Sequence, residues 1–261
     1  MTVAVEIEDK VAIVTVDNPP VNAYKTQTFA DLTAIFRSFA TRRDVNAAIL
    51  TASGERTFCG GVDLADSAKR LSGGDGDTAP NDQLDPGLLV RETFWAVLDC
   101  AVPVIGAING AAVGAGVAIA SCCDILVCST KARFALTEVN AGVLGGGRHM
   151  QRLVGTYKTR WMFYTGEFVP AEEFHRLGSV EQVVAPEELL PTAKALAAKI
   201  AAKSPIGIRL AKESLNRVEE MELKPGYRTE QDYTNRMRTF ADAAEARNAY
   251  LEKRTPNWAW K

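Results

Sequence analysis

Histidine is almost missing from this 261-residue chain, which has only His149 and His175. Its five cysteines, Cys59, Cys100, Cys122, Cys123 and Cys128, make neither a Cys-x-x-Cys pair nor a Cys/His set at metal-ligand spacing. A zinc module and a disulfide scaffold are thereby excluded, no metal is expected, and the thiols read as reduced and the protein as cytoplasmic. An excess of one charge is missing too: 30 Lys and Arg stand against 32 Asp and Glu, with no long basic run. Nucleic-acid binding, which needs clustered cations to replace phosphate counterions, is not expected. The amino terminus lacks a basic start, an apolar core and a small-residue cleavage site, so no signal peptide is expected. A long uninterrupted apolar run is also absent. Ala101 to Cys123 carries no charge, but Pro103, Gly106, Asn109, Gly110, Gly114 and Gly116 interrupt it and the rest is mostly Ala and Val. It reads as a buried strand, a glycine turn and a small-residue helix, and no membrane span is expected.

What is present is a chain with 47% apolar residues, enough to bury the core of one main domain. Val3 to Ile7 and Val11 to Val16 are β-branched runs, the second ended by Asp17-Asn-Pro-Pro20, and read as strands. Phe29, Leu32, Phe36 and Phe39 recur at helical spacing, and Ala47 to Leu50 is a strand closed by Ser53-Gly54. The alternation of strand, helix and strand predicts an α/β fold. Residues 72 to 87 are polar and glycine-rich and read as a mobile loop. A helix at Leu88 to Leu98 and strands at Val104 to Ile108 and Ile125 to Cys128 follow. From Ala171 the pattern is mainly helical, with long pieces at Glu187 to Lys203, Pro205 to Lys224 and Glu230 to Lys253. The last carries an apolar face of Tyr233, Met237, Phe240 and Ala244.

Three segments place glycine where side chains would obstruct: Phe58-Cys59-Gly60-Gly61-Val62-Asp63, Asn109-Gly110-Ala-Ala-Val-Gly114-Ala115-Gly116, and Gly142-Val-Leu-Gly145-Gly146-Gly147. Taken singly, each reads first as structural punctuation. The first two can also present backbone N–H groups at helix starts. A dinucleotide site is disfavoured, because the spacing is not G-x-G-x-x-G and the second segment does not follow the first strand.

In this order, and together with Asn18-Pro-Pro-Val-Asn22-Ala23, Cys123-Asp124-Ile, Phe134-Ala-Leu-Thr-Glu138 and Glu252-Lys-Arg-Thr-Pro-Asn-Trp258, the segments resemble the crotonase superfamily, the enoyl-CoA hydratase/isomerase family, over essentially the whole chain. The resemblance implies a spiral of ββα units over residues 1–200 and a helical, oligomerising region over 201–261, assembled as a homotrimer or a dimer of trimers. It implies an acyl-CoA thioester substrate, with no separate cofactor because coenzyme A is part of that substrate. By position in the family pattern, the backbone N–H groups that stabilise an enolate oxyanion look like those of Gly60 and Ala115. Asn22, Ala23, Lys25, Gly61, Val62, Asp63, Gly114 and Gly146 fall at substrate or CoA contacts. Lys25 suits a phosphate. The eight cations against five acids between Lys224 and Lys261 could meet the 3′-phosphate or be a solvated helix face.

Hydratases resembling this chain carry two glutamates. Here Glu138 is present and Ala118 stands at the other position. Two carboxylates orient a water and move its proton, whereas one suffices to take a proton from C2 of a 3-enoyl thioester and return it at C4. Isomerisation or hydratase-lyase chemistry with Glu138 as single acid/base is therefore expected ahead of ordinary hydration. Asp63, Asp66, Arg148 and His149 are the candidates to replace the lost group, with Arg148 read as the partner of a carboxylate and His149 as a helix-surface residue. Asp124 reads as holding a turn, His175 as solvated, and Cys59 as no nucleophile, since no His partners it in any motif. The alternative is a catalytically silent acyl-CoA-binding or assembly protein.

Overall fold

The computed structural model describes residues 2–71 and 84–261, so residues 72–83 of the expected loop lie outside the described residues. The chain opens with a hairpin, β1 (Val3–Glu8) and β2 (Val11–Val16), whose turn residues Asp9 and Lys10 both have positive φ, the turn geometry that matches strand twist. Helix α1 (Thr26–Ser38) buries Phe29, Leu32 and Phe36, the stripe that its spacing predicts. There follow β3 (Ala47–Ala52), β4 (Thr57–Cys59), α2 (Leu64–Leu71), α3 (Leu88–Leu98), β5 (Val104–Ile108), β6 (Ala111–Val113), α4 (Ala115–Ser121), β7 (Ile125–Ser129) and β8 (Arg133–Ala135). After a 3-10 turn at Glu138–Ala141 come α5 (Gly147–Thr165), β9 (Val169–Pro170), α6 (Ala171–Leu177), β10 (Gln182–Val184) and α7 (Leu189–Ala201). The chain ends with α8 (Pro205–Val218), α9 (Leu223–Arg238) and α10 (Ala241–Glu252).

The strands divide between two sheets as a spiral would require. One has the order β1-β2-β3-β5-β7-β10 and the other β4-β6-β8-β9. Each turn of chain gives one strand to the long sheet and the next to the short one, and β3/β4, β5/β6 and β7/β8 repeat this step. The long sheet is covered on both faces. Val14, Leu50, Ile108 and Cys128 enter the main core, while Ile13, Ile49, Ile105 and Val127 meet Leu189, Ala193 and Ala197 of α7. Parallel strands buried on both sides read as continuous apolar runs, which is why β2, β3 and β5 were visible in the sequence.

The carboxyl-terminal expectation needs correcting. Residues 205–224 and 230–253 are not two helices but parts of three, with breaks at 219–222 and at Thr239–Phe240. Pro225 lies in the first turn of α9, where its missing N–H costs nothing, so it marks a start. Phe240 is extended, and the buried Asp242 just beyond it accepts a 2.9 Å bond from the Ala259 N–H, tying the chain end to α10. Tyr233 is buried but Ala244 is exposed, so the apolar face does not continue through the break. Among the described residues, no helix is long and apolar enough to cross a membrane.

Candidate active site

In the short sheet, β4, β6 and β8 run parallel as neighbours, and each is followed by one of the motifs singled out above. After β4 comes Gly60-Gly61-Val62, after β6 comes Gly114-Ala115, and Glu138 lies three residues past Ala135, the last residue of β8. Carboxyl ends of adjacent parallel strands are where α/β folds gather ligand-binding loops. The register holds the segments close. Gly114 donates its N–H to Ala135 O at 3.2 Å, and a Cβ on Gly116 would lie 2.6 Å from Cys59 O, so only glycine fits between α4 and the end of β4.

Glu138 is the chemical centre of this corner. A Cβ on Gly114 would come within 2.9 Å of Glu138 Oε1, and one on Gly146 within 3.3 Å, so the carboxylate lies between the second and third glycine segments. Its Oε2 is buried with no hydrogen-bond partner among the described residues. Desolvation pushes the carboxyl above its ordinary range, opposed in part by a backbone hydrogen bond. A buried, unsatisfied carboxylate oxygen with a raised proton affinity costs stability and marks a candidate for proton transfer.

The expected oxyanion donor on the first segment is shifted by the structure. The Gly60 N–H donates to Val21 O at 2.8 Å and the Gly61 N–H faces Cys59 Sγ at 3.4 Å, so both are engaged. Val62 forms a parallel bridge with Tyr24, in which Tyr24 N–H donates to Gly61 O and Asp63 N–H donates to Tyr24 O. In such a bridge the N–H of the intervening residue points away from the partner strand. No acceptor for Val62 N–H is seen among the described residues, and Val62 is 37% exposed. The available donor of this turn is therefore Val62, not Gly60. Ala115, the first residue of α4, has an N–H without an intrahelical acceptor.

Other anticipated residues fall into two groups. Asn22 is 4% exposed and its side chain is spent on protein: Oδ1 accepts from Asn18 N–H, and Nδ2 donates to Ser53 O and Thr57 O. The Ala23 carbonyl accepts from Asn18 Nδ2. Lys25 is exposed immediately before α1. Asp63 caps α2 by accepting from Ala65 and Asp66 N–H groups, and Asp66 accepts from Thr26. Both acids thus accept hydrogen bonds from residues at helix starts. Ala118 is buried within α4. Arg148 pairs with Glu220, and His149 sets its ring edgewise on Phe94 at 5.2 Å, its proton affinity lowered by burial and by Arg148 and Arg152. His175 is exposed, with Nδ1 2.8 Å from Val180 O. Burial raises the Cys59 thiol to about 12, so it is inert at neutral pH.

A groove of about 560 Å³ lined by Asp99, Arg209, Lys212 and Tyr233 contains none of the glycine segments. Its Lys212 is occupied by Asp124.

The sequence matches the family described as enoyl-CoA hydratase/isomerase over residues 6–261. A (7aS)-7a-methyl-1,5-dioxo-2,3,5,6,7,7a-hexahydro-1H-indene-carboxyl-CoA hydrolase of Rhodococcus jostii is 38% identical over 248 residues, 95% of this chain and 93% of the relative. The short-chain-enoyl-CoA hydratase of Clostridium acetobutylicum is 32% identical over 256 residues, 97% of this chain and 95% of the relative. An enoyl-CoA hydratase structure from Bacillus anthracis superposes with a TM-score of 0.90 at 27% identity, with 100% of both chains covered.

Proposed function

The chain belongs to the enoyl-CoA hydratase/isomerase family, whose members act on CoA thioesters, and from that premise we propose that it forms and reprotonates a thioester enolate with Glu138 as its one acid/base. The observation that carries this reading is the buried, partnerless Oε2 of Glu138 beside Gly114 and Gly146. In isomerisation, Glu138 removes a C2 proton from a 3-enoyl thioester, and the electron pair moves to the thioester oxygen. The N–H groups of Val62 and Ala115 stabilise that oxyanion more than the neutral carbonyl, which lowers the barrier. The same carboxyl returns the proton at C4, and the double bond ends between C2 and C3. Ordinary hydration is less well served, because Ala118 supplies no second carboxylate and the nearby acids are committed to caps. Hydratase-lyase chemistry also fits one carboxylate. Lys25 and the Ala23 backbone belong on the CoA side of the site in this reading. The chain would assemble as a homotrimer or a dimer of trimers, giving partners to the exposed Leu215, Leu223, Tyr227 and Tyr250 of the carboxyl-terminal helices.

A second reading is favoured by the Rhodococcus hydrolase. One carboxylate can also activate water against a ring carbonyl β to a thioester. Collapse of the adduct breaks the bond between that carbonyl carbon and C2 and leaves a carboxylic acid, and the departing electron pair is the enolate that the same donors hold until Glu138 returns the proton of the water to C2. A turnover panel of 3-enoyl-, 2-enoyl-, aryl-propenoyl- and cyclic β-oxo-acyl-CoA esters, with product identification, separates these. We expect turnover of a 3-enoyl or cyclic ester, and a loss of about 10²- to 10⁴-fold in Glu138→Gln. Binding of all four esters without turnover of any would leave the silent acyl-CoA-binding alternative in its place.

A further inference from the structure

We infer that Asn22 is a positioning residue for the oxyanion-binding turn, acting through the loop it anchors and not through contact with substrate. The inference rests on the enolate reading above. Asn22 adopts φ 49°, a left-handed conformation that Asn tolerates better than most side chains. From there its carboxamide makes three bonds: Oδ1 accepts from Asn18 N–H at 2.9 Å, and Nδ2 donates to Thr57 O at 2.8 Å and Ser53 O at 3.1 Å. Asn18 closes the loop on the other side by donating to Ala23 O at 2.6 Å.

The residues flanking Asn22 grip the turn itself. Val21 O accepts from Gly60 N–H at 2.8 Å, Tyr24 N–H donates to Gly61 O at 2.8 Å, and Tyr24 O accepts from Asp63 N–H at 2.9 Å. Three backbone bonds on both sides of Val62 thus come from the loop that Asn22 fixes, and they aim the one N–H of the turn that is not consumed. Thr57 O also lies 3.4 Å from Asn109 Nδ2, and Asn109 begins the segment leading to Ala115. The Asn22 amide therefore ties its loop to Thr57, where β4 begins beside the start of β6. Removing an oxyanion donor costs about 10²- to 10³-fold, and misplacing one by about 1 Å can approach the lower figure.

Two variants test this while respecting the left-handed backbone. Asn22→Asp keeps the acceptor for Asn18 but turns an oxygen toward the carbonyls of Ser53 and Thr57, and Asn22→Gly removes all three bonds. We expect kcat on the best ester of the panel to fall about 10- to 100-fold in either variant, with the Kd for butyryl-CoA within about twofold of wild type. Infrared difference spectra of bound butyryl-CoA should show the thioester C=O stretch lowered in wild type and in Glu138→Gln, and lowered less in the Asn22 variants. A merely structural role would reduce the folded fraction without moving that stretch per bound ester. Wild-type kcat and an unchanged stretch in a folded Asn22→Asp or Asn22→Gly overturns the inference alone. A stretch that wild type does not lower overturns the enolate reading and this inference with it.

Discussion

Two carboxylates frame the parallel strands, Asp124 where β7 begins and Glu138 past the point where β8 ends. Asp124 Oδ2 accepts from Val104 N–H, the first residue of β5, and from Lys212 Nζ at 2.7 Å. Lys212 is 4% exposed and also faces Val97 O and Val102 O, so α8 is pinned to the strand starts by groups that satisfy one another. Glu138, by contrast, carries a buried oxygen that no described residue meets. Both corners are costly to desolvate. In one the cost is offset by partners, and in the other it is left standing between the second and third glycine segments. An acid beside the core is informative about function only after its bonds have been followed.

The strongest way to break this contrast is at Lys212. Lys212→Met keeps the side-chain length, and because Asp124 is solvent-accessible and keeps the Val104 N–H, the loss is that of a charge-assisted hydrogen bond, about 1.5–3 kcal/mol. That corresponds to a fall in Tm of about 3–12 °C for a chain of this size. kcat of the folded enzyme should stay within about twofold. A Lys212→Met protein that melts like wild type would show that the strand-start corner is not the stabilising one.

Gly114→Ala sharpens the other side. Gly114 has φ 53° and ψ −107°, and the added methyl would stand 2.9 Å from Glu138 Oε1. The carboxylate can swing aside more easily than the backbone can move, so the change displaces the base. We expect kcat to fall about 10- to 100-fold, in line with the cost of misplacing a reacting group, and stability to fall by about 1–3 kcal/mol from the backbone strain. Unchanged kcat would mean that Glu138 is not held by the second glycine segment.

Much of this arrangement was legible before any coordinates. The strands β2 and β5 and the helix α3 have the bounds that their apolar patterns indicate, because a sheet buried on both faces leaves β-branched runs and a packed helix leaves a periodic stripe. Glu138 stood out by its place in the family pattern. The donor did not. Gly60 draws the eye as a glycine, but which N–H remains free is decided by the bridge between Tyr24 and Val62, a backbone pairing that side-chain identity does not encode. The strands β6, β8 and β9, of two or three residues each, are too short for any period to register. Helix α5 was obscured by Gly155, at φ 72°, and by the exposed Tyr157, Trp161 and Tyr164, which blur its apolar face. The break between α9 and α10 depends on Asp242 meeting the chain end, a contact made only in the folded protein.

The smallest effect comes from the pH dependence of stability, where two carboxylates should move in opposite directions. Glu138 holds its proton more tightly when folded than when unfolded, because burial disfavours the charge. The penalty is absent below the ordinary carboxylate pKa, grows as pH rises toward the folded value, and is fully present above it. Glu138→Gln, neutral throughout, should therefore melt with wild type near pH 4 and higher than wild type at pH 8, by less than the roughly 4 °C that about 1 kcal/mol produces in a chain of this size. Glu245 provides the reverse case: the Arg254 guanidinium and the Asn257 N–H hold it down at about 2. Its contribution is present at neutral pH and lost as pH falls through that value, so Glu245→Gln should melt slightly lower than wild type at pH 7, with the gap closing in acid. Melting curves of both variants across this range decide whether the Glu138 corner is strained. A Glu138→Gln protein that is no more stable than wild type at pH 8 would mean that the carboxylate finds a partner in solution, and the case for it as a poised base would weaken accordingly.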